Sequence, residues 1–113
     1  MIEPFSISEI LSGGWKSYPF GPFRAGIEIA HLIAGEPAVA LLRYEPGAKV
    51  PSHRHPGLET VYVLEGSQRD ERGVYRAGEI VFNTEGSIHS VVSDDGCVVL
   101  IQWARPIEFL QDG

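Results

Sequence analysis

The sequence has a single cysteine, Cys97, so no internal disulfide can form. This scarcity is typical of proteins in a reducing cytoplasm, which is the compartment we expect. Basic residues are also few, since nine Lys and Arg against fifteen Asp and Glu give a formal net charge of −6. They are scattered along the chain, which argues against nucleic acid and anionic membranes as partners.

Long apolar runs are missing as well. No stretch approaches the roughly 20 residues that a transmembrane helix needs. The first residues, MIEPFSISEI, lack the basic and then apolar segments of a secretory signal. With 113 residues, of which 43% are hydrophobic, the chain is expected to form one globular domain over residues 1–113.

Long helices are excluded by thirteen glycines and eight prolines that recur at short intervals. One helical signal stands near the N-terminus, where Ser6 and Glu9 have the spacing of a capping box and Gly13-Gly14 would end the run. We therefore predict a short helical turn within an N-terminal extension, residues 1–25, that packs on the rest of the domain or on a partner subunit.

The remaining sequence alternates with a period of two or forms short apolar runs between turns, which is typical of β-strands. The Asp94-Asp95-Gly96 turn between two such runs is a hairpin signal. Short strands at this close spacing indicate an all-β antiparallel sandwich or barrel. The strands are predicted at residues 26–33, 38–44, 60–64, 67–70, 74–76, 79–82, 88–93 and 97–104.

Three of the four histidines lie in a pattern with a chemical meaning. His53 and His55 are two residues apart, so on an extended strand both side chains point to the same face. Glu59 begins the next strand and His89 lies on a later one. Three imidazoles and one carboxylate form a ligand set that suits a divalent transition metal, with Fe, Mn, Zn and Ni all acceptable, and such a site leaves positions open for a small molecule.

The spacing around these residues resembles that of the cupins. Residues 47–66, GAKVPSHRHPGLETVYVLEG, are similar at every specified position to the first cupin motif, in which Gly, His-x-His, Glu and Gly recur at fixed distances. Residues 78–93, GEIVFNTEGSIHSVVS, resemble the second motif, with Thr84 in place of the usual proline. The resemblance implies a cupin-type double-stranded β-helix, or jelly-roll barrel, with His53, His55, Glu59 and His89 as metal ligands.

Residues 38–104 further resemble the cupin domain of ChrR-type anti-sigma factors. In that family a separate zinc-binding helical domain holds the sigma factor, and this sequence has no pattern of that kind. The resemblance thus implies a metal-binding or sensory cupin. The ligand set predicts that a mononuclear metal site acts on or senses a small oxygenated molecule, as a dioxygenase-like enzyme or related lyase. The alternative is a non-catalytic, metal-loaded sensor or regulatory module, and a metal-free epimerase-type cupin is disfavoured by the full ligand set.

Other candidate residues receive structural interpretations. His31 shares a face with the isoleucines of its strand and is expected in the core or an interface, and Cys97 is expected to be a buried, inert thiol. Gln102 could face a pocket or solvent, and Tyr62 is expected to face away from the core. We expect a homodimer, because a partner subunit could cover the aromatic side chains of the N-terminal extension, Trp15, Tyr18, Phe20 and Phe23.

Overall fold

The computed structural model describes residues 2–110. Within these residues, ten antiparallel strands form two sheets that share one long strand. The strands are β1 (Gly21–Arg24), β2 (Ile27–Ile33), β3 (Ala38–Tyr44), β4 (Ala48–Arg54), β5 (Glu59–Asp70), β6 (Gly73–Arg76), β7 (Ile80–Asn83), β8 (Ile88–Ser93), β9 (Cys97–Trp103) and β10 (Glu108–Phe109).

The first sheet has the order β1-β2-β3-β9-β5-β7, and the second has the order β10-β4-β8-β5-β6. The curled pair of sheets is the jelly-roll barrel that the sequence predicts. Its main core lies between the sheets, because the buried apolar side chains come from strands of both. These include Ile27, Ile29, Leu42, Val50, Val61, Val63, Val91, Val99 and Ile101.

Strand β5 joins the two sheets because it bends near its middle. Its first half pairs with β7 and β9, and its second half pairs with β6 and β8. The register shifts between Val63 and Glu65, and Gly66 follows with φ of 72°. The two strands predicted at 60–64 and 67–70 are therefore one strand, since the Glu65-Gly66 turn signal marks a bulge and not a chain reversal.

The N-terminal segment packs on the outer face of the first sheet. Trp15 is only 4% exposed and belongs to a second apolar cluster with Leu41, Leu64 and Val98. The Phe20 ring lies 6.2 Å from that of Trp15 in an edge-to-face arrangement. The first sheet of the same chain thus covers Trp15. A partner subunit is therefore not needed to bury this side chain, in contrast to the expectation from the sequence.

The predicted helical turn is present, but the prediction of a capping box is wrong. Two short 3₁₀ helices, Ile10–Ser12 and Gly14–Ser17, form instead, and neither has a side-chain cap. Glu9 adopts a left-handed conformation with φ of 56°, and its carbonyl accepts hydrogen bonds from the backbone N–H groups of Ser12 and Gly14. Gly13-Gly14 therefore links two turns and does not end a single one.

Strand β4 was expected around His53 and His55 but was given no range, and strands β1 and β10, which lie at the outer edges of the two sheets, were not predicted. Both are short, and prolines at positions 19, 22 and 106 obscure their patterns. Within residues 2–110, no helix has the length and apolar character needed to cross a membrane.

Candidate metal centre

Three elements bring the four predicted residues to one place inside the barrel. His53 lies on β4 and His55 just beyond its end, Glu59 begins β5, and His89 lies on β8 opposite His53. One potential ligand atom from each side chain lies within 4.8 Å of all the others. All four residues are at most 4% exposed, so they form a buried cluster and not a group of surface charges.

The outward-facing nitrogen of each imidazole is held by a hydrogen-bond acceptor. His53 Nδ1 lies 2.8 Å from the Pro51 carbonyl oxygen, and His55 Nδ1 lies 2.9 Å from that of Ser87. Because a carbonyl only accepts, both Nδ1 atoms must carry the proton. His89 Nδ1 lies 2.9 Å from Asp70 Oδ2, which favours the same tautomer. The remaining Nε2 lone pairs are thus available to a cation, the arrangement that protein metal sites use.

Two of these nitrogens lack the partners that buried polar atoms normally have. His55 Nε2 and His89 Nε2 are fully enclosed and make no hydrogen bond. His55 Nε2 lies 3.3 Å from Glu59 Oε1, and the ring centres of the three imidazoles are 4.6–4.9 Å apart. An unpaired buried nitrogen is costly, so its presence on two converging rings fits a site built for a cation.

Glu59 is held in place by two side-chain donors that the sequence pattern did not identify. Asn83 Nδ2 donates to Oε1 and Trp103 Nε1 donates to Oε2, each over 2.8 Å. Both donors lie on strands that pair with the first residue of β5, because Glu59 is opposite Asn83 and Trp103. The only sequence signal for these two donors was their position on the inward-facing, otherwise apolar side of their strands.

The electrostatics of the cluster keep the carboxylate charged. Burial opposes ionisation of Glu59, but the close approach of His55, whose Nε2 lies 3.3 Å from Oε1, outweighs it and lowers the pKa of Glu59. Burial, reinforced by the charge of His89, lowers the pKa of His53. Burial also opposes protonation of His55, but Glu59 outweighs that effect and raises the pKa of His55. An ionised Glu59 beside a neutral His53 suits a cation, whereas His55 would have to give up a proton to bind one.

A cavity of about 100 Å³ adjoins the cluster between the two sheets. His53, Glu59 and His89 line one side of it. Most of the remaining wall is apolar and includes Leu42, Val50, Val61, Val91, Ile101, Trp103 and Phe109. The ligand set therefore faces a small, largely apolar chamber, as expected for a site that binds a small molecule.

The other candidates lie away from this cluster. His31 is exposed on β2 beside a register shift, so it does not lie in the core and is not part of the cluster, whereas its expected place in an interface stays a prediction. Cys97 is buried, and burial raises the pKa of its thiol to about 11, as expected for an inert thiol. Gln102 and Tyr62 line a shallow depression on the outer face of the first sheet, so Tyr62 faces outward as predicted and Gln102 does not reach the metal cluster.

Comparison with known proteins agrees with this geometry. Residues 13–105 match the model of the ChrR cupin-like domain. The chain belongs to this family. Over 87 residues it is 37% identical to the anti-sigma-E factor ChrR of Cereibacter sphaeroides. The matched region covers 74% of this chain and 41% of that protein.

Solved structures show the same barrel. One match is the crystal structure of Rhodobacter sphaeroides SigE in complex with the anti-sigma ChrR, with 31% identity, a TM-score of 0.70, and coverage of 78% of this chain and 49% of that chain. This cupin therefore spans less than half the length of its ChrR relatives. An acetylacetone dioxygenase from Acinetobacter johnsonii shares the fold, with a TM-score of 0.80 at 18% identity over 99% of this chain and 80% of that chain.

Proposed function

We propose that this cupin binds one divalent transition-metal ion through His53, His55, Glu59 and His89, and that it acts on a small oxygenated molecule in the adjoining cavity. Iron, manganese, zinc and nickel all suit three imidazoles and one carboxylate. The observation that carries the proposal is the pair of buried Nε2 atoms, on His55 and His89, that point into the cluster without a hydrogen-bond partner.

The protein's own groups suit this role. The Pro51 and Ser87 carbonyls and the Asp70 carboxylate fix the three rings, while Asn83 and Trp103 fix Glu59. The cavity wall is largely apolar, so polar interactions inside the cavity are stronger than at the surface. A bound ion would supply a Lewis acid for an enolate or carbonyl oxygen and, if it were iron, redox chemistry towards dioxygen.

The enzyme hypothesis is tested on protein purified without a histidine tag. Bound metal is first identified by elemental analysis, and the protein is then stripped and reloaded with iron(II) under anaerobic conditions. We expect stoichiometric metal and oxygen consumption with small β-diketones or hydroxyketones. His89→Ala should abolish both, whereas His31→Ala, which removes an exposed imidazole outside the cluster, should change neither.

A second candidate function is a metal-loaded sensor or regulatory module without catalysis. The 37% identity to an anti-sigma factor supports it, because that relative is named for regulation and not for turnover. Tightly held zinc together with no oxygen uptake over the whole panel would favour this function. Failure to retain any divalent metal would contradict both candidates.

A homodimer in the cytoplasm remains part of the proposal. The exposed edge strand β7 supports self-association, since Ile80 is 51% exposed and Phe82 is 62% exposed on a strand paired on one side only, with β5, among the described residues. Light scattering coupled to gel filtration tests it. Phe82→Lys should convert a dimer to a monomer, and a wild-type monomer at micromolar concentration would contradict it.

A further inference from the structure

One positive side chain lies at the cavity that adjoins the metal cluster. Arg24, at the end of β1, lines the cavity together with His53, Glu59 and His89. Its guanidinium carbon lies 4.6 Å from the centre of the Phe109 ring. That ring lies 6.0 Å from the His53 ring, so a single small molecule can reach from Arg24 to the cluster.

Arg24 differs from the arginines that form ion pairs on the surface. Arg43, Arg54 and Arg69 each lie within 3.1 Å of a carboxylate oxygen. No carboxylate lies within 4.0 Å of Arg24 in the described part of the chain. Stacking on Phe109 orients the guanidinium but leaves its charge uncompensated, and its planar donors match an oxygen anion.

Two further polar residues line the same cavity. Gln68 is 5% exposed and Tyr44 is 6% exposed, and both face the space between the sheets. Burial raises the pKa of Tyr44, so its hydroxyl stays protonated and can donate a hydrogen bond. Apart from the candidate metal ligands, an arginine, a hydroxyl and an amide are the few polar groups in this largely apolar chamber that can fix a ligand's orientation.

The charge of the site and the volume of the cavity restrict the class of ligand that can bind. A divalent ion held by three neutral imidazoles and one carboxylate leaves one positive charge, and Arg24 adds a second. The cavity volume of about 100 Å³ suits a small ligand. We propose that the ligand is a small organic anion with an apolar body, and that Arg24 is a specificity-determining residue that binds its charged oxygen group.

This inference rests on the proposed function, because the anion is to share the cavity with the metal ligands. The probes are hexanoate and hexanamide, which have equal numbers of non-hydrogen atoms and differ in charge. Their binding is measured by calorimetry and ligand-observed NMR on zinc-loaded and metal-stripped protein. Zinc content and thermal unfolding are recorded on the same samples.

We expect hexanoate to bind at least 10-fold more tightly than hexanamide, a typical effect of one charge-assisted hydrogen bond. Arg24→Gln should remove this preference by weakening hexanoate binding, and Arg24→Lys should retain part of it. Arg43→Gln is the matched control, because Arg43 also stacks on a phenylalanine, Phe20, but on a face of the protein away from the cavity. It should leave both affinities unchanged.

The outcomes separate this inference from the metal site. Equal binding of both probes, or a preference for hexanoate that survives in folded Arg24→Gln, overturns the role of Arg24 even when zinc is retained. Loss of zinc binding together with an intact Arg24-dependent preference supports the anion site and contradicts the metal centre. Retained zinc with a preference that Arg24→Gln removes supports both.

Discussion

His89 and Asp70 form a buried pair in which Nδ1 of the imidazole lies 2.9 Å from Oδ2 of the carboxylate, and each side chain is only 2% exposed. Asp70 also accepts hydrogen bonds from the Tyr75 hydroxyl and the Arg72 backbone N–H. Burial opposes ionisation of Asp70, but these hydrogen bonds, with that of His89 the strongest, lower its pKa. The carboxylate is therefore positioned to orient His89 and to strengthen its Nε2 as a ligand.

We predict that Asp70→Asn weakens zinc affinity by about 10- to 100-fold, the usual effect of losing a partner behind a metal-bound histidine. An amide oxygen can still accept from His89, but the negative charge is lost. Competition against a fluorescent zinc chelator measures the effect. Asp94→Asn is the control, because Asp94 pairs with Arg69 on the exposed surface, and equal affinities in the two variants would show that Asp70 does not support the site.

We predict that Glu59→Gln also lowers metal retention, by about one to two orders of magnitude. The substitution removes the anionic ligand, and the new amide N–H₂ would face either Asn83 Nδ2 or Trp103 Nε1, both of which are donors. Elemental analysis after dialysis against a weak chelator gives the readout. The control is Glu65→Gln, at an exposed position on the same strand. Unchanged metal content in Glu59→Gln would mean that the carboxylate is not a ligand.

Trp103 offers a spectroscopic report on the cluster, because its indole N–H donates directly to Glu59. The chain has two tryptophans, and Trp15 lies in the separate apolar cluster on the outer face of the first sheet. We predict that zinc or nickel changes the emission of Trp15→Phe, whose fluorescence comes from Trp103. The same titration should leave Trp103→Phe unchanged. A metal-dependent signal that follows Trp15 would contradict the assignment.

The four candidate ligands could be predicted from sequence because His53 and His55 share one face of a strand, and because the spacing of all four resembles that of the cupin motifs. The side chains that support these ligands or line the cavity beside them could not be predicted. Asp70 lies at the far end of β5 and reaches His89 because β5 bends and pairs with β8, a contact between residues 19 apart. Arg24 lies on an edge strand that could not be recognised in the sequence, because prolines interrupt its pattern. Such partners depend on how the sheets curl, which a short motif does not encode.

The bend in β5 depends on Gly66, which allows the strand to serve both sheets and so brings Asp70 to His89. Its φ of 72° disfavours any side chain, and a Cβ at this position would collide with the Gly96 carbonyl oxygen. Gly78 provides a matched control, because its φ is also positive, at 93°, but a Cβ there would meet no atom within 4 Å.

We therefore predict that Gly78→Ala lowers the free energy of unfolding by about 1 kcal/mol, the cost of the backbone conformation alone. Gly66→Ala should cost at least about 3 kcal/mol, since β5 or the turn at Gly96 must also move. Urea denaturation of the metal-free proteins compares the two variants without any contribution from metal binding. If their losses were equal, the close approach of Gly66 to Gly96 would carry no energetic weight, and the bend would have to be attributed to backbone conformation alone.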